Sequence, residues 1–120
     1  MKTWAVVGLG NNPERAAFGV AKLLQDKGHR IIPVYPRVET VHGEVGYKTL
    51  SEIPGPVDVV DCFVNSTLVG KVVDEAIAIG AKAVWLQLDV IDNDAIARAQ
   101  AAGLITVMDR CPAIEYRKKS

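Results

Sequence analysis

The chain alternates short apolar runs with longer stretches in which apolar residues recur every three or four positions. Short runs of this kind predict strands, and the longer stretches predict helices with one buried face. The predicted strands cover residues 3–8, 30–35, 57–64, 81–88 and 104–109. The predicted helices cover residues 13–27, 68–79 and 93–102, with a short closing helix at 112–118.

Polar residues ahead of the helical stretches predict where the helices begin. Asn12 is expected to cap the first helix, with Pro13 as its first residue, because this pairing is favoured at helix starts. Ser66 or Thr67 is expected to cap the second helix, although either hydroxyl could instead contact a ligand. Asp92 is expected to cap the third helix.

The stretch between residues 36 and 56 is less regular than the rest. Its "EVGY" piece, residues 44–47, predicts a short edge strand, and "TLSEI", residues 49–53, predicts a single helical turn. Just before it, Pro33 removes one hydrogen-bond donor from the second strand, so we expect that strand to be bent or unpaired there.

The order of the elements predicts an α/β fold. Strands separated by helices are joined by right-handed crossovers into a parallel sheet that is covered on both faces. We therefore predict one Rossmann-like, doubly wound domain over residues 1–120, with a mainly parallel sheet of about five or six strands. The winding is expected to reverse between the first strand and the strand at 57–64, and ligands bind at the carboxyl ends of the strands beside such a reversal.

Composition narrows the function classes. The 120-residue chain has 14 basic and 14 acidic side chains, which argues against a sequence-independent nucleic-acid surface. No apolar run approaches the roughly 20 residues that span a bilayer, so we predict a cytoplasmic protein without membrane contact. Cys62 and Cys111 predict no disulfide framework, and no metal-ligand spacing joins them to His29 or His42.

The first candidate ligand segment is the glycine-containing turn after the first strand. Gly8 and Gly10 begin a G-x-G-x-x-G dinucleotide fingerprint, but Pro13 stands where its third glycine belongs. Glycines let the backbone approach a phosphate closely, and a helix start after them favours an anion. The alternative is that both glycines only form the strand-to-helix turn.

The second segment, Val34-Tyr35-Pro36-Arg37, distinguishes between cofactors. An NAD site has an acid near the end of the second strand to bind the ribose diol, whereas the nearest acid here, Glu39, lies beyond Pro36. Arg37 suits a phosphate on a ribose, as in NADP or coenzyme A (CoA), although a single arginine is often a solvated surface residue.

The third segment follows the strand at 57–64. Phe63 and Val64 provide an apolar wall, and Asn65, Ser66 and Thr67 provide amide and hydroxyl groups at a helix start. These groups are candidates for ligand contact, and helix capping is the structural alternative.

The same segments carry a family resemblance that covers nearly the whole chain. Its landmarks are "VVGLGNNPER", "VAKLLQDKGHRIIPVYPR", "HGEVGYKTLSEIPGPVDVVDCFV", "AIAIGAKAVWLQL" and "AAGLITVMDRCPAIEY". On these landmarks the sequence resembles the small CoA-binding proteins whose fold matches the N-terminal domain of the succinyl-CoA synthetase α subunit. The stretch 53–63 and the pieces "GAKAVWLQL" and "VMDRC" distinguish this family from ordinary Rossmann domains.

The resemblance implies that the chain binds CoA or a short acyl-CoA as its small-molecule ligand. It implies that the loop 8–12, with Arg15, lies along the phosphates and pantetheine. It also implies that Val34, Pro36 and Arg37 flank the adenine and the 3′-phosphate, and that 63–66 closes the other side. The candidate CoA-binding residues are Gly8, Leu9, Gly10, Asn11, Asn12, Arg15, Val34, Tyr35, Pro36, Arg37, Phe63, Val64, Asn65 and Ser66.

Three positions depart from the family pattern. The family often has Ser at position 10, Asn at 35 and Arg at 64, where this chain has Gly10, Tyr35 and Val64. A hydroxyl and a positive charge are therefore missing, and stacking of Tyr35 on adenine is a hypothesis for an offsetting contact.

No nucleophile–base pair stands at a recognisable spacing, so we predict binding without catalysis. Cys111 follows the last strand and is interpreted as a structural thiol, with a mixed disulfide to CoA as the alternative. Gln87 is a candidate contact for pantetheine. Two other functions stay open: an NADP-binding oxidoreductase or sensor, and a CoA-binding subunit of a larger acyl-CoA ligase. A homodimer also stays open.

Overall fold

The structure is a computed structural model of the chain that describes residues 2–111, so the closing helix predicted at 112–118 lies outside the described residues. Five strands alternate with three helices and one 3₁₀ turn. In chain order these are β1 (Thr3–Val7), α1 (Ala16–Asp26), β2 (Arg30–Val34), the 3₁₀ turn Leu50–Glu52, β3 (Val59–Cys62), α2 (Ser66–Ala78), β4 (Ala83–Leu86), α3 (Asn93–Ala101) and β5 (Ile105–Val107).

The five strands form one parallel sheet in the order β2-β1-β3-β4-β5. From β1 the chain first winds to β2 on one side, then crosses back to β3 on the other side of β1. This confirms the predicted α/β, Rossmann-like, doubly wound fold and places the reversal between β1 and β3. The carboxyl ends of β1, β2 and β3 therefore meet at one edge.

Both faces of the sheet are buried along β1, β2 and β3. In β1, Trp4 and Val6 pack into a core cluster with α1, whereas Ala5 and Val7 pack into a second cluster with α2 and α3. Burial on two faces explains why the strands consist of nearly continuous apolar residues. Among the helices within residues 2–111, none is long and apolar enough to cross a membrane.

Pro33 leaves β2 fully paired with β1, contrary to the expectation of a bent or unpaired strand. Pro33 lies in register with Val6, while its carbonyl accepts a 2.9 Å hydrogen bond from the Tyr47 N–H on the outer edge. The missing donor therefore faces away from β1. The expected edge strand at 44–47 is reduced to two isolated bridges, one between Val34 and Tyr47 and one between Val41 and Glu44. The helical turn expected at 49–53 is confirmed.

The start of α1 differs from the prediction. The helix begins at Ala16 with Arg15 as its N-cap, rather than with Asn12 as cap and Pro13 as first residue. The Asn12 side-chain oxygen accepts a 3.0 Å hydrogen bond from the Glu14 N–H, which closes a local turn ahead of the helix. The loop after β1 is consequently longer than expected.

The start of α2 also differs, whereas that of α3 is as predicted. The N-cap of α2 is Asn65, not Ser66 or Thr67, and the Ser66 hydroxyl accepts a 2.9 Å hydrogen bond from the Ile91 N–H. Ser66 thus ties α2 to the loop after β4. Asp92 caps α3 by accepting a 3.0 Å hydrogen bond from the Ala95 N–H.

The sheet contains one fully buried carboxyl group, that of Asp61 in β3. Its neighbours in register are Val6 and Trp85, and neither carboxyl oxygen has a hydrogen-bond partner within residues 2–111. Burial raises the pKa of Asp61 well above its ordinary value. The folded state therefore holds this proton over a pH range in which the unfolded chain has lost it.

Because the folded state holds this proton, we expect the free energy of unfolding to fall as the pH rises. Below the unfolded pKa of about 3.9, Asp61 is protonated in both states. Above it only the folded state keeps the proton, so the free energy of unfolding falls by up to about 1.4 kcal/mol per pH unit until the folded pKa is reached. Asp61→Asn should remove this part of the slope in urea unfolding between pH 4 and 7, with Asp26→Asn, an exposed carboxylate on α1, as the charge-matched control. Equal slopes for the wild type and Asp61→Asn would contradict the assignment.

Candidate functional site

The ends of three neighbouring strands are joined at Gly8. Its N–H donates a 2.7 Å hydrogen bond to the Val34 carbonyl of β2, while the Phe63 N–H after β3 donates a 2.9 Å bond to the Val7 carbonyl. Gly8 has a φ of +99°, and a Cβ placed there would collide with the Phe63 carbonyl. Only glycine satisfies both the backbone angle and the close approach.

A cleft of about 680 Å³ opens beside this junction. Most of its wall is apolar, and the side chains come from the ends of β1, β2 and β3, from the start of α1, from α2, and from the loop after β4. The apolar lining residues are Val7, Ala16, Ala17, Val34, Pro36, Phe63, Val64, Leu68, Val72, Leu88 and Val90. A wall of this kind suits the flat or extended apolar part of a ligand.

A smaller recess of about 370 Å³ adjoins the cleft, and its lining is mostly polar. Gly8, Arg15 and Tyr35 line both spaces, so the cleft and the recess adjoin each other. The residues of the recess are Gly8, Gly10, Asn11, Asn12, Arg15, Tyr35, Arg37 and Glu39. One ligand with an apolar part and an anionic part could therefore occupy both.

A profile of the family described as "CoA binding domain" matches residues 2–117. The chain belongs to this CoA-binding domain family. The resemblance that the sequence landmarks carry is thereby confirmed.

Two individual proteins are also similar to this chain in sequence. The CoA-binding domain is 34% identical over 110 residues to the uncharacterized protein YneT of Bacillus subtilis (strain 168), which covers 92% of this chain and 82% of that protein. It is 36% identical over 81 residues to the ADP-forming acetate–CoA ligase II subunit alpha of Pyrococcus furiosus, covering 67% of this chain and only 18% of that subunit. It is therefore related to one part of an acyl-CoA ligase subunit.

A solved structure also matches closely. A hypothetical protein from Pyrococcus horikoshii OT3 is 39% identical, with a TM-score of 0.93 over 98% of this chain and 82% of that one. The dinucleotide-forming acetyl-coenzyme A synthetase 1 of Candidatus Korarchaeum cryptofilum, in its apo form, is 21% identical with a TM-score of 0.78, covering 90% of this chain and 26% of that one. At that identity the second likeness shows the shared fold.

Most of the predicted site residues of the CoA-binding domain are brought together, and two are not. Leu9 is fully buried in the core cluster beneath α1, and the Ser66 hydroxyl is engaged with the loop after β4. The predicted residues that line the cleft or the recess are Gly8, Gly10, Asn11, Asn12, Arg15, Val34, Tyr35, Pro36, Arg37, Phe63, Val64 and Asn65.

Two lysines on the cleft were missed by the sequence analysis. Lys48 reaches it because Tyr47 pairs with the end of β2, and Lys71 reaches it from the face of α2 that also carries Leu68. The three-residue spacing of Leu68 and Lys71 on one helix was a usable signal, whereas Lys48 lies in the irregular stretch and gave none.

Cationic side chains outnumber the carboxylates of the site, which are those of Glu39 and Glu75. Arg15, Arg37, Lys48 and Lys71 line the cleft or the recess, and within residues 2–111 no salt bridge involves any of them. The Glu75 carboxylate, which also lines the cleft, accepts 3.0 Å hydrogen bonds from the Leu50 N–H and the Ser51 hydroxyl. The cations are thus available to an anionic ligand.

Gln87 and Cys111 occupy different surroundings. Gln87 is 7% exposed, lines the cleft, and its Oε1 has no hydrogen-bond partner within residues 2–111, so it can accept a hydrogen bond from a ligand. Cys111 packs against the cluster beneath α1 and lines neither space. Cys62 is fully buried, and burial raises the pKa of its thiol. Neither thiol lies where it would meet a ligand in the cleft.

We expect that a single methyl group added at Gly8 destabilises the fold. Gly8→Ala should lower the free energy of unfolding by about 1–2 kcal/mol for the left-handed backbone alone, with a further loss from the collision with Phe63. Gly19→Ala is the matched control, because Gly19 lies inside α1 with open space around it, and it should gain about 0.5–1 kcal/mol. Urea unfolding of both variants measures the difference, and equal tolerance would contradict the role of Gly8.

Proposed function

We propose that this CoA-binding domain binds coenzyme A or a short acyl-CoA across the cleft and the recess. The supporting observation is that the two spaces adjoin: a mainly apolar cleft shares Gly8, Arg15 and Tyr35 with a polar recess that also carries Arg37. CoA has this composition, since an adenine ring and a long pantetheine arm flank its phosphates. Membership of the family supports the same ligand.

The proposed position of the ligand follows the chemistry of the lining. Arg15 and the loop from Gly8 contact the diphosphate, and Arg37 contacts the 3′-phosphate of the ribose. The adenine lies between the end of β2 at Tyr35 and the apolar wall at Val64. The pantetheine arm continues past Gln87, whose unpartnered oxygen accepts an amide N–H.

Lys48 and Lys71 line the same cleft as Val64, the position at which this chain departs from the family pattern. The resemblance places an arginine at that position in many relatives, and its charge is missing here. The two lysines supply positive charge from two other elements. The proposed site therefore keeps a cationic wall despite the substitution.

The proposal is one of binding without catalysis. The carboxylates of the site, Glu39 and Glu75, both accept hydrogen bonds from the chain itself, and the other lining groups are mainly apolar, amide or cationic. Such groups hold a ligand in place. We further propose a single domain that acts in the cytoplasm, as a monomer, as a homodimer or as the CoA-binding subunit of a larger acyl-CoA ligase.

Calorimetry and thermal unfolding with CoA, acetyl-CoA, dephospho-CoA, NADP and NAD test the proposal. A ligand at one hundred times its Kd should stabilise the folded state by about 2.7 kcal/mol. We expect CoA and acetyl-CoA to stabilise the protein most, dephospho-CoA less because it cannot contact Arg37 through a 3′-phosphate, and NAD least. Stabilisation by NADP without stabilisation by CoA would overturn the proposal in favour of an NADP-binding protein.

A further inference from the structure

A carboxylate lies inside the recess that is proposed to hold the phosphorylated ribose. Glu39 lines this recess together with Arg37, and its Oε2 accepts a 3.2 Å hydrogen bond from the Asn11 side-chain amide. The same amide donates a 2.8 Å bond to the Thr40 carbonyl. The backbone of Gly46 packs so closely on that of Glu39 that no side chain fits between them. The acid is thus held in place by the surrounding chain.

Gly10 makes room for this carboxylate. A Cβ at position 10 would lie 3.1 Å from the Glu39 Oε1, a distance at which one of the two groups must shift. The serine that the family resemblance associates with this position would therefore contact the Glu39 carboxylate, which would have to shift by a few tenths of an ångström.

Arg37 and Glu39 favour different groups of a ligand within the same recess. An arginine donates hydrogen bonds to a phosphate, whereas a carboxylate accepts them from hydroxyl groups and repels phosphate. Within residues 2–111 no salt bridge joins the two side chains. Together they suit a ribose that has a phosphate on one carbon and a free hydroxyl on the next.

We infer that Glu39 accepts a hydrogen bond from the ribose 2′-hydroxyl while Arg37 binds the 3′-phosphate, so that the recess selects 3′-phosphorylated over 2′-phosphorylated ribose. The inference rests on the proposed function. CoA has the 3′-phosphate and the free 2′-hydroxyl, and NADP has the reverse arrangement. Glu39 is therefore the residue that separates these two classes of nucleotide.

Two isomeric probes isolate this effect. Adenosine 3′,5′-bisphosphate and adenosine 2′,5′-bisphosphate have the same charge and composition and differ only in the carbon that bears the phosphate. Calorimetry should show that the wild type prefers the 3′,5′ isomer by about tenfold, since one charge-assisted contact is exchanged for a repulsive one. Glu39→Gln should make the two affinities about equal, because the amide still accepts a hydrogen bond but no longer repels phosphate.

Glu44→Gln is the matched control, since Glu44 lies in the same loop region but lines neither space, and it should keep the wild-type ratio. The ratio of two affinities within one variant does not depend on the fraction of protein that is folded. If CoA binds but Glu39→Gln keeps the wild-type ratio, the inference is overturned and the proposed function stands. If the wild type binds neither CoA nor either isomer, the proposed function fails and the inference fails with it.

Discussion

The close approach of β1 and β3 at Gly8 is the constraint on which the site depends. The backbone there turns through a φ of +99° directly against the Phe63 carbonyl, while its N–H reaches across to Val34. This contact fixes the ends of three parallel strands relative to one another at the reversal of the sheet. The cleft and the recess both include Gly8, so their relative position follows from it.

The two spaces present different surfaces, one mainly apolar and the other mainly polar and charged. The cleft offers area for hydrophobic contact along the ends of the strands and α2, and the recess offers arginines, amides and one carboxylate. A Cβ at Gly10 would lie 3.1 Å from the Glu39 Oε1, so this departure from the family pattern falls directly beside the carboxylate of the recess.

The order of elements and the reversal could be predicted, because strand and helix periodicities are local properties of the chain. The start of α1 could not be predicted, because the Asn12 side chain can either cap a helix or close a turn, and both are local interactions. In the structure it accepts a hydrogen bond from the Glu14 N–H and closes a turn. The three loops of the site were predictable because parallel strands end at one edge. Lys48 and Glu39 were not, because both reach the site through the irregular stretch, whose path depends on tertiary contacts such as that between Asn11 and Glu39.

The proposed function places CoA at the carboxyl ends of β1, β2 and β3. Titration with CoA, followed through the backbone amide signals in two-dimensional nuclear magnetic resonance spectra, tests it most directly. Binding at this edge should shift the signals of residues 8–12, 14, 15, 35, 37 and 63–65, while those of Gly80 and Gly103, at the opposite edge of the sheet, stay in place. Shifts confined to the opposite edge, or none at saturating CoA, would contradict it.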